Sequence, residues 1–294
     1  MGGEAAQEAG LGEAVLAEAI AAYRAALGSR LVAGYALGSL AHGGFSQLVS
    51  DVDLGLILAD PPRISDRLRI RAVAGAVRGG RSELHQRLSV FWGTPSTLRG
   101  QARGGRFPPL DRLDLLEHGR LLAGRDARAG LTRPERAELL VAGADFALGH
   151  LGGAPNLPER LQGWARRQPG SGTAIDEVRS PALLVSRGPR RLTKIVLFPA
   201  RFLCTAATGQ VGTNALAAEH YLALAQAPAA ELVTAALAWR REPPADDAAA
   251  IALLDRELIP LYVQYIDDHI ARLLAASRQR LVGRFRQWRS RLLA

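Results

Sequence analysis

The stretch Gly38–Leu58, GSLAHGGFSQLVSDVDLGLIL, decides the reading of this 294-residue chain. A Gly-Ser pair leads into a glycine-rich loop, an Asp-X-Asp and an apolar run. Upstream, LVAGYAL (31–37) is short and apolar and runs into Gly38-Ser39, as a buried strand entering a turn does. Residues 52–58 read as a second strand, ended by Asp60-Pro61-Pro62. Side chains alternate across a strand, so Asp51 and Asp53 point to one face while Val52 and Leu54 point into the core. Two carboxylates that close repel each other unless a cation or an arginine lies between them. Oxygen-ligated Mg2+, completed by waters and substrate phosphates, is the natural occupant. Glycine at 38 lets the backbone approach a ligand closely, and the exposed N–H groups and the Ser39 hydroxyl can hold phosphate oxygens. Gly43 and Gly44 let the connecting loop fold back, so that phosphate cradle and metal site face each other. An isolated Asp-X-Asp is explained as well by a solvated strand end. The ordered combination of strand, Gly-Ser, eleven intervening residues and Asp-X-Asp opening a strand is far more specific.

Working outward, Leu11, Val15, Ile20, Tyr23 and Leu27 fall at helical spacing over 11–27, and Gly28 supplies a stop. Residues 64–78 read as a helix and 87–92 as a third strand before Gly93-Thr94-Pro95. From about 110 the character changes. LDRLDLLEHGRLLAG (110–124) and RPERAELLVAGADFALGHL (133–151) are helical in period, with Pro134 in a first helical turn. Residues 152–190 are rich in Gly, Pro, Ser and Arg and form a linker or a long binding loop. Helices are expected over 192–208, 213–226, 228–241 and 246–276, followed by a basic amphipathic segment. The expected fold is α+β: an N-terminal α/β domain with a small mixed sheet over 1–125, and an all-helical domain over 126–294.

With 48% hydrophobic and 22% charged residues the composition is that of an ordinary globular protein. The first twenty residues carry Glu4, Glu8 and Glu13 and no basic residue before their apolar part, the reverse of a signal peptide. The run IVLFPARFLC is too short and too interrupted for a membrane span, so the expected location is cytoplasmic, with no membrane partner. The single Cys204 cannot form an internal disulfide or a cysteine zinc cluster, and reads as a small buried residue on a helix. The formal charge of +9 favours anionic partners, but Lys194 is the only lysine among 37 basic residues, a pattern of coding bias more than of a selected binding surface.

The form GS…GG…SDVDL resembles the signature of the nucleotidyltransferase superfamily related to DNA polymerase β, and within it the aminoglycoside nucleotidyltransferases. IVLFPARFLCTAATGQVGTNALAAEHYLAL (195–224) is similar to the helical-domain segment of the streptomycin and spectinomycin adenylyltransferases, and LDRELIPLYVQYIDDHIARLL (254–274) falls where their last helix would. The resemblance implies an enzyme in which a substrate hydroxyl attacks the α-phosphate of a nucleoside triphosphate, ATP by preference, and expels pyrophosphate. It implies that Gly38 and Ser39 hold phosphate, that Ser50 sits beside the metal site, and that Asp51 and Asp53 ligate Mg2+.

Three departures stand against it. The family places a third acid on the next strand, as metal ligand or general base; here that strand reads RLSVFWG and offers Ser89, which cannot replace a carboxylate base at neutral pH. Glu83 lies before the strand, and Asp111, Asp114 and Glu117 could substitute only if their helix folds over the site. Where the adenylyltransferases carry a phosphate-reaching lysine after the Thr-Gly turn, TGQVGTN offers Asn214, with Lys194 and Arg201 nearby in sequence to compensate. Finally, SRGPRRLTK (186–194) is strongly basic where a polycationic drug would need carboxylates, with only Asp176 and Glu177 upstream, so a neutral or anionic acceptor is expected. A catalytically impaired nucleotide-binding protein is the alternative these departures raise. The six histidines show no zinc spacing, and His42 reads as a solvated loop residue or a ligand contact. Arg278, Arg280, Arg284, Arg286 and Arg289 read as a solvated helical face or, less simply, a grip on RNA.

Overall fold

Four strands form one mixed sheet in the order β3-β2-β1-β4, with β1 Leu31–Leu37, β2 Val52–Leu58, β3 Leu88–Gly93 and β4 Arg120–Gly124. The central pair β1/β2 is antiparallel, β4 joins β1 antiparallel, and β3 joins β2 parallel across α3 (Ile64–Arg78) and a short helix, Glu83–Gln86. This computed structural model describes residues 2–152 and 174–294, with side chains from residue 9 onward. The chain divides into two compact units, Met1–Pro134 and Glu135–Ala294.

Alternation along the strands builds two different faces. Ala36 of β1, Val52, Leu54, Leu56 and Leu58 of β2, and Leu88, Val90 and Trp92 of β3 share one core cluster with α1 (Gly2–Leu27) and α3. Val15, Leu16, Ala19, Ile20, Tyr23 and Leu27 are the buried stripe of α1, and full burial of each larger side chain contributes roughly 1.5–3 kcal/mol. Leu11 departs from the expected stripe: it is 47% exposed. The opposite face holds a smaller cluster of Ala33, Tyr35, Leu37, Ile57, Leu98 and Leu115. Leu115 belongs to α6 (Pro109–Glu117), which follows α5 (Pro95–Leu98) and covers this second face. On β2 the second face therefore runs Ile57, Gly55, Asp53, from apolar cover to carboxylate.

Two helical readings give way. Residues 110–124 are not one helix: α6 ends at Glu117, His118 caps it, and Arg120–Gly124 pairs with β1. The strand hides because it is an edge strand with little burial, Leu121 being 39% exposed, so period-2 alternation is absent. Pro134 precedes the helix Arg136–His150 instead of sitting in its first turn.

An interior ion pair ties the sheet to α3. Asp66 is fully buried, accepts from Arg30 Nη2 at 2.6 Å and Nε at 3.3 Å, and accepts from the Arg63 N–H at 3.2 Å. Burial works to raise its pKa, but the Arg30 guanidinium and the Arg63 amide outweigh it and hold the carboxyl below the ordinary carboxylate range. A group with a depressed folded pKa contributes stability that is present above the unfolded value near ~4 and is lost as pH falls through the folded value. Asp66→Asn is expected to cost about 2 kcal/mol at neutral pH. Urea denaturation at pH 7 and pH 3 checks this, because the wild-type advantage should shrink in acid.

In the second unit the helices include Arg136–His150, Pro189–Thr208, Asn214–Leu222, Ala230–Ala238, Asp247–Ala275 and Gln279–Leu293. Short helices Ala174–Arg179 and Pro181–Ser186 occupy part of the stretch read as linker or loop; its remainder over 153–173, including QPGSG, lies outside the described residues. Cys204 is buried. The terminal helix buries Leu281, Val282, Phe285, Trp288 and Leu292, while Arg289 pairs with Asp267 at 2.7 Å and Arg284 with Asp145 at 3.4 Å. No described helix is long and apolar enough to cross a membrane.

Candidate functional site

Gly38 ends β1 with φ 61° and ψ −150°, a backbone conformation in which an L side chain is strained. A Cβ placed there would fall well under 3.0 Å from Asp53 Oδ2. The turn thus carries glycine because the Asp53 carboxylate occupies the space a side chain would take. Asp53 is paired with Leu37 on one side and with Ser89 on the other, and is half-buried. Asp51 precedes β2, also half-buried, and alternation sets it on Asp53's side of the strand, away from the fully buried Val52 and Leu54.

The loop between the two motifs is closed by its own hydrogen bonds. Gly43 and Gly44 take φ 91° and 76°, and the Ser50 N–H donates to Ser46 O at 2.9 Å. Ser50 is buried, and its Oγ accepts from the Ser46 N–H at 3.0 Å. Its placed role is therefore to close the loop that delivers Asp51. Ser39 opens the short helix Ser39–His42 directly after Gly38. His42 is half-buried, not a freely solvated loop residue, and its ring meets the His118 ring edge at 5.4 Å between centroids.

Helix α6 does fold over this face and brings acids with it. The Gly38 N–H donates to Asp114 Oδ2 at 2.6 Å, and Asp114 is 9% exposed. Asp111 lies one turn earlier on the same helix, and i, i+3 residues share a helical face. Burial, then the Asp53 and Asp114 carboxylates, push the Asp111 carboxyl up to about 8, with Arg106 opposing. Both acids therefore lie in the neighbourhood of Gly38 and Asp53. Glu117 points to other work, pairing with Arg133 and lying 3.8 Å from His118. Glu83, set before β3, pairs with Arg87 at 2.5 Å. Among the described residues no group of three or more His, Cys, Asp or Glu could hold a metal by itself. Mg2+ asks for less, one or two carboxylates with the rest of its shell from water and substrate phosphate. The all-oxygen donors beside a glycine with no side chain fit that requirement.

In structure the chain is similar to a spectinomycin adenyltransferase from Enterococcus faecialis solved with ATP and spectinomycin, at a TM-score of 0.48 and 14% sequence identity, over 82% of this chain and 98% of that one. No protein-family model matches the chain, and no curated protein does.

The remaining candidates lie in the second unit. Asn214 is the first residue of its helix, whose cap is the Thr213 hydroxyl accepting from the Leu216 N–H at 3.3 Å. Lys194 lies half-buried on the helix Pro189–Thr208, and Arg201 on the same helix donates to Gly212 O at 2.7 Å across the Thr-Gly turn. In the basic segment 186–194, the buried Glu177 accepts from Arg191 Nε at 2.7 Å and lies 3.5 Å from Arg187. Part of that segment's charge is thus neutralised internally, which the sequence reading did not foresee.

Proposed function

We propose that the chain is a Mg2+-dependent nucleotidyltransferase that moves AMP from ATP to a hydroxyl of a small neutral or anionic acceptor. One observation carries the reading: the Gly38 backbone N–H, the Asp53 carboxylate and the acids of α6 converge at the end of β1 and the start of β2. The sequence signature supports the same assignment. Asp51 and Asp53 would hold Mg2+, which when bound neutralises charge on the triphosphate and on the departing pyrophosphate. The Gly38 N–H and the Ser39 hydroxyl donate to phosphate oxygens. The acceptor oxygen forms a bond to the α-phosphorus, the bond to pyrophosphate breaks, and the hydroxyl proton passes to the ionised form of Asp111, which a bound cation would favour by offsetting the Asp53 and Asp114 charges and which stands in for the acid missing at Ser89. Nucleotide contacts by Ser50, Lys194 and Asn214, and a nucleotide-closing role for the helical unit, rest on the sequence resemblance alone.

Release of pyrophosphate from ATP, screened over hydroxyl-bearing small molecules, tests the proposal. Asp111→Asn is expected to lower the rate by about 10²-fold while leaving MgATP affinity within a few-fold, as loss of a general base does. Ser89, in register with Asp53, supports a second reading, a nucleotide binder without transfer activity. Transfer of labelled AMP that disappears in Asp53→Asn would exclude it.

A further inference from the structure

Asp114 is the acid at this site that the proposed chemistry leaves without a task. Its Oδ2 takes the Gly38 N–H at 2.6 Å, while its Oδ1 is buried with no hydrogen-bond partner among the described residues. A buried carboxylate oxygen left bare is costly. In native chains such a group is rare and calls for a specific explanation. The Gly38 N–H is also the donor assigned above to a phosphate oxygen, and a single amide hydrogen serves one strong acceptor at a time. Asp114 and a nucleotide phosphate therefore compete for it.

We propose that Asp114 is an intramolecular competitor for the phosphate cradle: its carboxylate holds the Gly38 amide until a triphosphate arriving with a divalent cation displaces it. A bare triphosphate approaching Gly38 meets the Asp51, Asp53 and Asp114 carboxylates, and repulsion keeps it out. With a cation between the anions the balance reverses, so nucleotide uptake becomes conditional on metal. This inference rests on the nucleotide reading of the site. A merely supporting role for Asp114, holding Gly38 in its strained conformation, makes the opposite forecast, because its removal would then weaken binding.

The experiment is calorimetric titration of the full chain with ATP, once in excess Mg2+ and once in EDTA, for wild type, Asp114→Asn and Asp114→Ala. Asparagine keeps an acceptor for the Gly38 N–H without the charge, and alanine removes both. Each variant is expected to bind MgATP about 10-fold more tightly, the scale of one charge-assisted hydrogen bond, and to show ATP binding in EDTA that wild type lacks. The melting temperature should hold or rise in Asp114→Asn, since a buried charge with one bare oxygen is gone. MgATP binding unchanged or weakened in both folded variants, or no binding in EDTA, overturns the proposal and leaves the nucleotide reading standing. Should no form bind nucleotide under either condition, the nucleotide reading falls and this inference with it.

Discussion

Asp53→Asn is expected to reduce nucleotidyl transfer by about 10³-fold or more, the loss of several kcal/mol that metal coordination supplies to a phosphoryl-transfer transition state. Asparagine preserves the side-chain shape and the backbone pairing of β2 with Leu37 and Ser89, so the fold should survive. What disappears is the charge facing Gly38. MgATP affinity should fall along with the rate, and calorimetry beside a pyrophosphate-release assay separates the two effects. Because Asp53 sits among like-charged neighbours, the variant's melting temperature should equal or exceed that of wild type. A loss of activity accompanied by a lower melting temperature would instead make Asp53 a structural residue.

Gly38→Ala is expected to strike both stability and binding. The positive-φ backbone of Gly38, with ψ −150°, costs an L residue about 1–3 kcal/mol, and the added Cβ must also push the Asp53 carboxylate away from its place on β2. A total near 3 kcal/mol follows if relief of the overlap costs a further ~1 kcal/mol, the low end for overpacking. MgATP binding should weaken by about 10²-fold, since the same displacement misplaces a metal ligand and an amide donor. Gly44→Ala is the control: it too has a positive φ, 76°, but nothing lies within 4 Å of the new Cβ. Destabilisation in both, larger in Gly38→Ala by the cost of the overlap, with binding lost only in Gly38→Ala, is the expected result.

The strands Leu31–Leu37 and Val52–Leu58 and the helix Ile64–Arg78 stand where the sequence reading set them. Each has a dense apolar core face and is bounded by glycine, proline or a capping residue, so local pattern and final burial agree. The edge strand Arg120–Gly124 escaped because its register is fixed by β1, ninety residues away, and not by its own alternation. The site was half legible. Gly38, Asp51 and Asp53 announce themselves within fifteen residues because chain-local chemistry brings them together. The contribution of α6 was legible only as a condition, that its helix fold over the site, since Asp111 and Asp114 reach Gly38 and Asp53 through the packing of Leu115 against the sheet. One signal was available: Asp111, Asp114 and Leu115 lie at i, i+3 and i+4, so the two acids share the side of the helix whose leucine faces the sheet. Burial of that side turns ordinary surface carboxylates into site residues.

The proposed function requires that Gly38 and Asp53 form one metal-linked nucleotide site. The most direct measurement replaces Mg2+ by paramagnetic Mn2+ and follows the backbone amide resonances of 15N-labelled protein as MnATP is added. Selective broadening of the Gly38 and Ser39 amides and of the amides flanking Asp53, absent in Asp53→Asn, is expected. Broadening centred elsewhere, or broadening at Gly38 that persists in Asp53→Asn, would contradict it.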